Sequence, residues 1–133
     1  GKHGEHIART ALSYRGVLLL EKVATPVKLI ASSHPGLFRV IFGEKVAADW
    51  RGVMEDGTSV LAEVKTILDR NLRFSDLREH QPQALLDHAR YAISLLVWVS
   101  SSGVFCMRWP IEGFGPGKSI SVEQAETMDW RGE

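Results

Sequence analysis

Hydrophobic and polar positions change period several times along the chain, and each change marks a predicted element. Ile7, Ala8, Ala11 and Leu12 form one apolar stripe at helical spacing, so Glu5 to Arg15 is expected to be a short helix stopped by Gly16. The run Val17 to Leu20 is too short and too uniformly apolar for a surface helix and reads as a strand. Thr25-Pro26 then turns the chain into a second extended run, Val27 to Ala31. Ser32 to Gly36 reads as a turn, and Leu37 to Phe42 as a further strand. Residues 47–54 and 58–66 are expected to be a hairpin around Glu55-Asp56-Gly57, followed by a charged loop from Leu68 to Asp76. Residues 80–92 read as a helix with Leu85, Ala89 and Ala92 on one face and Pro82 tolerated in its first turn. A second hairpin follows, Ile93 to Val99 and Val104 to Trp109, and Ser121 with Gln124 forms the capping box of a terminal helix. This order describes a single mixed α/β domain.

The first hairpin can be tested for register. Even positions Trp50, Met54, Val60, Ala62 and Val64 are mostly apolar, whereas odd positions Asp49, Arg51, Glu63 and Lys65 are charged. One face is therefore expected to be core and the other a cleft. A two-residue turn would set Trp50 opposite Glu63 and mix the faces. A three-residue loop with Gly57 in the left-handed region sets Asp49 opposite Glu63, with Cβ atoms roughly 4.5–5.5 Å apart and Lys65 next along the same face.

Two carboxylates that close repel, so one takes up a proton unless a cation joins them. Mg²⁺ suits such a site, because it prefers hard oxygen ligands from one or two carboxylates with water and phosphate completing its shell. A protonated lysine beside it is no ligand, yet it can stabilise charge building on a phosphate. The expected chemistry is phosphodiester hydrolysis.

Composition changes the picture only locally. The 133 residues carry 16 Lys+Arg against 16 Asp+Glu, which excludes both a disordered polyelectrolyte and a protein that binds nucleic acid by overall charge. Residues 1–46 hold seven basic and three acidic side chains (+4), residues 47–118 eight and nine (−1), and residues 119–133 one and four (−3). A polyanion must therefore meet a local patch. One cysteine, Cys106, excludes an internal disulfide framework, and no apolar run reaches membrane-spanning length, so a soluble cytoplasmic protein is expected.

Asp49 followed after thirteen residues by Glu63-Val64-Lys65 has the form D…ExK and resembles the PD-(D/E)xK nuclease superfamily. Gly16 to Leu20, Thr25 to Ile30, Ala48 to Val53, Glu63 to Thr66, Phe74-Ser75, Glu79-His80-Gln81 and Lys118-Ser119-Ile120 occur in the order seen in RecU-type Holliday junction resolvases, a similarity spanning roughly residues 5–125. The resemblance implies a central mixed β-sheet flanked by helices. It also implies a homodimeric, Mg²⁺-dependent endonuclease, with Mn²⁺ able to substitute, that cuts four-way DNA junctions with paired symmetric nicks. Asp49 and Glu63 match the metal-binding carboxylates, joined by the Val64 carbonyl. Lys65 matches the catalytic lysine, Gln81 the glutamine of the following helix, and Glu5 the leading acidic residue. The segment 31–48 is shorter than the projecting stalk of that family, which keeps open a nuclease acting on duplex, flap or replication-intermediate DNA. A DNA-binding module of the same fold without catalysis is the remaining alternative.

Arg70, Arg73 and Arg78, with Lys28 on the second extended run, are candidate phosphate contacts. Trp50, at an even position, is expected in the core. His80 and His88 lie eight residues apart with no cysteine nearby and make poor zinc ligands. Gly115-Pro116-Gly117-Lys118-Ser119 has the ending of a nucleotide-binding loop, but the first glycine of that motif would fall at Glu112, so no nucleotide cofactor is expected.

Overall fold

Ala8 and Leu12, one helical turn apart, are fully buried and anchor helix α1 (Lys2–Tyr14) to the sheet beneath it. In the computed structural model residues 2–22, 27–31, 38–42 and 50–133 are described, the side chains of residues 2, 19–20, 27–31 and 38–42 excepted. After Gly16, whose φ of 91° ends the helix, strand β1 (Leu18–Lys22) forms one edge of a five-stranded sheet. A separate two-stranded sheet joins β2 (Val27–Ala31) and β3 (Phe38–Phe42) in antiparallel register. The expected turns at Thr25-Pro26 and Ser32 to Gly36 fall outside the described residues.

The main sheet continues with β4 (Trp50–Val53) and β5 (Ser59–Thr66), then β7 (Ile93–Ser100) and β8 (Gly103–Arg108), in the spatial order β1-β4-β5-β7-β8. All neighbours are antiparallel except β5 and β7, whose parallel pairing requires the crossover that helix α2 (Gln81–Ala89) supplies. The fold is thus α/β, and the described residues form a mixed five-stranded sheet and three helices, the third being α3 (Val122–Met128). Among the described residues no helix is long and apolar enough to cross a membrane.

The first hairpin has the register read from the sequence. Trp50 faces Ala62, Arg51 faces Leu61, Gly52 faces Val60 and Val53 faces Ser59, and Gly57 takes a φ of 90° in the three-residue loop. Trp50 is buried on the even face with Val60, Ala62 and Val64, packed beneath Ala8 and Leu12 of α1. The odd face, expected to be a cleft, is largely covered as well. Leu61 shares a second core with Leu85 of α2 and Ala125 of α3, so the sheet has a core on each side.

Two further expectations are revised. The charged loop Leu68 to Asp76 contains β6 (Leu72–Arg73) and a 3₁₀ turn (Phe74–Asp76), because Leu72 enters the second core and pairs with Ile120 of β9 (Ser119–Ile120). Helix α2 ends at Ala89, short of residue 92; its inward residues are Gln81 and Leu85, with His88 a turn beyond, and Ala92 follows the helix. Helix α3 starts at the expected capping box, in which the Ser121 hydroxyl accepts from the Gln124 N–H at 3.2 Å and Gln124 Oε1 accepts from the Ser121 N–H at 2.9 Å.

Beyond α3 the chain is tied to the edge of β8. The Trp130 N–H donates to the Cys106 carbonyl at 2.7 Å, and the buried Arg15 guanidinium donates to both Asp129 oxygens at 3.1 and 3.0 Å and to the Trp130 carbonyl at 2.8 Å. Asp129 also accepts from the Cys106 N–H at 2.9 Å. Removing one partner of a buried pair leaves the other charged and desolvated, so Asp129→Ala is expected to lower stability by about 3–5 kcal/mol. Urea denaturation measures this, and a loss below about 1 kcal/mol would show that the clasp is not needed to hold the C-terminal segment.

Candidate active site

A strand paired on both edges and covered on both faces normally reads as continuous apolar sequence. Strand β5 follows that rule from Val60 to Val64 with one exception, Glu63, which is 2% exposed. Burying an isolated carboxylate is too costly to leave uncompensated. Two compensating groups are present. Lys65, two residues on and therefore on the same face, places Nζ 3.4 Å from Glu63 Oε1. Gln81, the first residue of α2, donates from Nε2 to the same oxygen at 2.7 Å.

The Gln81 amide cannot flip freely. Its Oε1 accepts the Arg78 backbone N–H at 2.7 Å, so Nε2 must face the carboxylate. Pro82 in the first turn fixes where α2 begins and hence where this amide sits. A carboxylate, an ammonium and an oriented amide thus meet on the α2 face of the sheet. In chemical terms the group can hold a hard cation by its carboxylate and present a positive charge to an anionic substrate.

The other expected site residues are distributed as follows. Asp49 lies outside the described residues. Val64 is buried on the opposite, α1-facing side. Glu5 forms an ion pair at 2.8 Å with Lys22, which is opposite Trp50 in the ladder, so its carboxylate is engaged on the α1 side. Arg70 is committed to Asp76, with bonds of 2.9 and 2.7 Å, and those bonds hold the Asp76 carboxyl below its ordinary range. The Arg73 and Arg78 side chains are exposed, while the side chain of Lys28 lies outside the described set. Among the described residues no three His, Cys, Asp or Glu side chains converge.

Sequence reasoning missed the chain formed by Ser59, His88 and Ser94. Ser94 donates to the Leu85 carbonyl at 2.7 Å, so its oxygen accepts from His88 Nδ1–H at 3.0 Å, leaving Nε2 to accept from the Ser59 hydroxyl at 3.1 Å. The available signal was spacing, since Gln81, Leu85 and His88 occupy one helix face at i, i+4 and i+7. Burial first, and then the charge of Arg51, holds the His88 pKa below its ordinary value.

No family model matches the chain, and no curated protein matches it. The solved structure of SSO0001 is similar at a TM-score of 0.40 and 20% identity, covering 80% of this chain and 50% of that one. This chain thus spans about half the length of that protein.

A depressed histidine pKa means that the unfolded chain takes up the proton first. The stabilisation from neutral His88 is complete above the ordinary value of 6.5 and declines as pH falls below it toward the lowered folded value. Urea midpoints at pH 7.5 and 5.5 are expected to differ less in His88→Gln than in the parent; an equal difference would mean that His88 does not govern this window.

Proposed function

We propose that the chain is a cytoplasmic, Mg²⁺-dependent endodeoxyribonuclease of the PD-(D/E)xK superfamily, acting as a homodimeric RecU-type resolvase that cuts four-way junctions by paired nicks. The observation that carries this reading is the buried Glu63 carboxylate, held between Lys65 and Gln81 on a central strand. A buried carboxylate in the middle of a doubly covered strand costs stability unless it is paired, so its presence there calls for a role beyond packing. Glu63 and Lys65, two residues apart on β5, share one face of the strand, which supports the reading.

The donor set fits a magnesium ion. Glu63 supplies a hard anionic oxygen and Val64 a backbone carbonyl, with Asp49 and Glu5 as the further ligands; Glu5 would have to leave Lys22 to join them. Bound there, the ion would act as a Lewis acid and lower the pKa of a coordinated water. The protein's own groups have separate tasks. Lys65, 16% exposed at its side chain, steadies negative charge on the phosphate undergoing attack. Gln81 fixes the rotamer of Glu63 and so the direction of its free electron pairs.

A second reading within the same superfamily, a nuclease acting on duplex, flap or replication-intermediate DNA, draws on the segment 31–48, shorter than the projecting stalk of the family it resembles. Labelled four-way and linear duplexes incubated with Mg²⁺ separate the two, and sedimentation of the protein tests the dimer. Lys65→Ala and Asp49→Asn are each expected to slow cleavage by roughly 10²–10³-fold, the scale of losing one charge-stabilising group. Cutting at the parental rate by both variants would remove the mechanism; faster cutting of linear DNA than of junctions would favour the second reading.

A further inference from the structure

Strand β7 lies between β5 and β8, and it is buried throughout from Ile93 to Val99. Every residue of that run is apolar except Ser94, which is 0% exposed. A hydroxyl in such a place is tolerated only if it is bonded, and the way it is bonded fixes a direction. Ser94 has one proton, which it donates to the Leu85 carbonyl at 2.7 Å. Its oxygen can therefore only accept from His88 Nδ1–H, 3.0 Å away. A neutral imidazole carries a single proton, so Nε2 is bare and accepts from the Ser59 hydroxyl at 3.1 Å. Each hydrogen in the chain points away from Ser59, toward the core.

A hydroxyl bonded to a bare imidazole nitrogen, with the other nitrogen held by a third group, is the arrangement that activates a serine for attack. Ser59, at the start of β5, and His88, in the last turn of α2, are both half-buried, so neither is sealed from a small molecule. Burial and then Arg51, against the opposing pull of the Ile93 carbonyl, keep the ring neutral and able to take a proton at pH 7. Once it does, the carbonyls at the C-terminus of α2 favour the positive charge. Arg51 is exposed and pairs with Leu61, two residues from Ser59, so a cation lies beside the hydroxyl on the same face of the sheet. The group sits at the opposite end of α2 from Gln81 and the Glu63 carboxylate.

We infer that Ser59 is the nucleophile of a second active site, with His88 as its general base, and that its substrates are small carboxylic esters bearing a negative charge. The reaction runs in two halves. Ser59 Oγ bonds to the carbonyl carbon while its proton passes to His88 Nε2; the bond to the leaving alcohol then breaks, and the alcohol departs with that proton. Water follows the same route, giving one proton to His88 and its oxygen to the acyl carbon, and Ser59 recovers the proton as the acid leaves. Ser94 keeps the ring in the tautomer this needs, and Arg51 receives the anionic end of the ester. The inference stands apart from the nuclease reading, since it uses none of the groups around Glu63.

The test treats the full chain at pH 7.5 with a fluorophosphonate probe, whose phosphorus bonds to an activated serine oxygen as fluoride leaves, and maps the label by peptide mass spectrometry. Label is expected on Ser59 and not on the exposed Ser75, Ser101 or Ser102. In His88→Gln the new amide can still bridge Ser59 and Ser94 by hydrogen bonds but takes no proton, so labelling should slow by about 10²-fold or more. Nitrogen-15 spectra of the parent are expected to show His88 protonated at Nδ1 and bare at Nε2. 4-Nitrophenyl hemisuccinate should be hydrolysed faster than the uncharged acetate, and Arg51→Gln should abolish that preference by raising KM for the hemisuccinate. Ser59 left unlabelled, labelled as fast in His88→Gln, or facing a protonated Nε2 would reduce the chain to a brace between strands and overturn the inference. Equal hydrolysis of the two esters would overturn the charged substrate class. Loss or retention of DNA cleavage bears on the nuclease reading alone.

Discussion

A carboxylate without water is the constraint around which this structure is arranged. Glu63 sits on β5, a strand with hydrogen-bonded neighbours on both edges and a helix over each face, and it is 2% exposed. In that setting its charge depends on Lys65 and on the amide of Gln81. The dependence reaches outward: Gln81 is oriented by the Arg78 N–H and by the Pro-initiated start of α2, and α2 is held by Leu85 in the second core. The parallel pairing of β5 with β7 makes such a helix obligatory, so the crossover that completes the sheet also delivers the amide that completes the site.

The hairpin was legible from sequence because its two faces differ in kind. Only a three-residue loop keeps Trp50 with Ala62 and the charged positions together, and Gly57 supplies the left-handed residue that loop needs. Gln81 lies four residues before Leu85, a spacing that sets both on one helix face, and both are buried. Less legible was the cover on the odd face. Leu61 stands there between Ser59 and Glu63, and the core it joins is completed by residues of α2 and α3, far away in sequence. The Ser59–His88–Ser94 chain was hidden for a similar reason, as its three members lie on three elements whose register only tertiary packing sets.

Charge tells a comparable story. Counting by region pointed to the N-terminal third as the basic surface, but Arg15 and Lys22 of that region are bound to acidic partners. Arg70, from the central region, is likewise held by Asp76 through two bonds. Cations open to an anion therefore have to be found by pairing rather than by count.

The central claim is that Glu63 is buried in order to hold a divalent ion. Crystals of the protein soaked in Mn²⁺, measured at the manganese absorption edge, test it directly. The account predicts an anomalous peak within coordinating distance of the Glu63 carboxylate. Saturating Mn²⁺ with no peak there, and Glu63 still bound to Lys65 and Gln81, would contradict it.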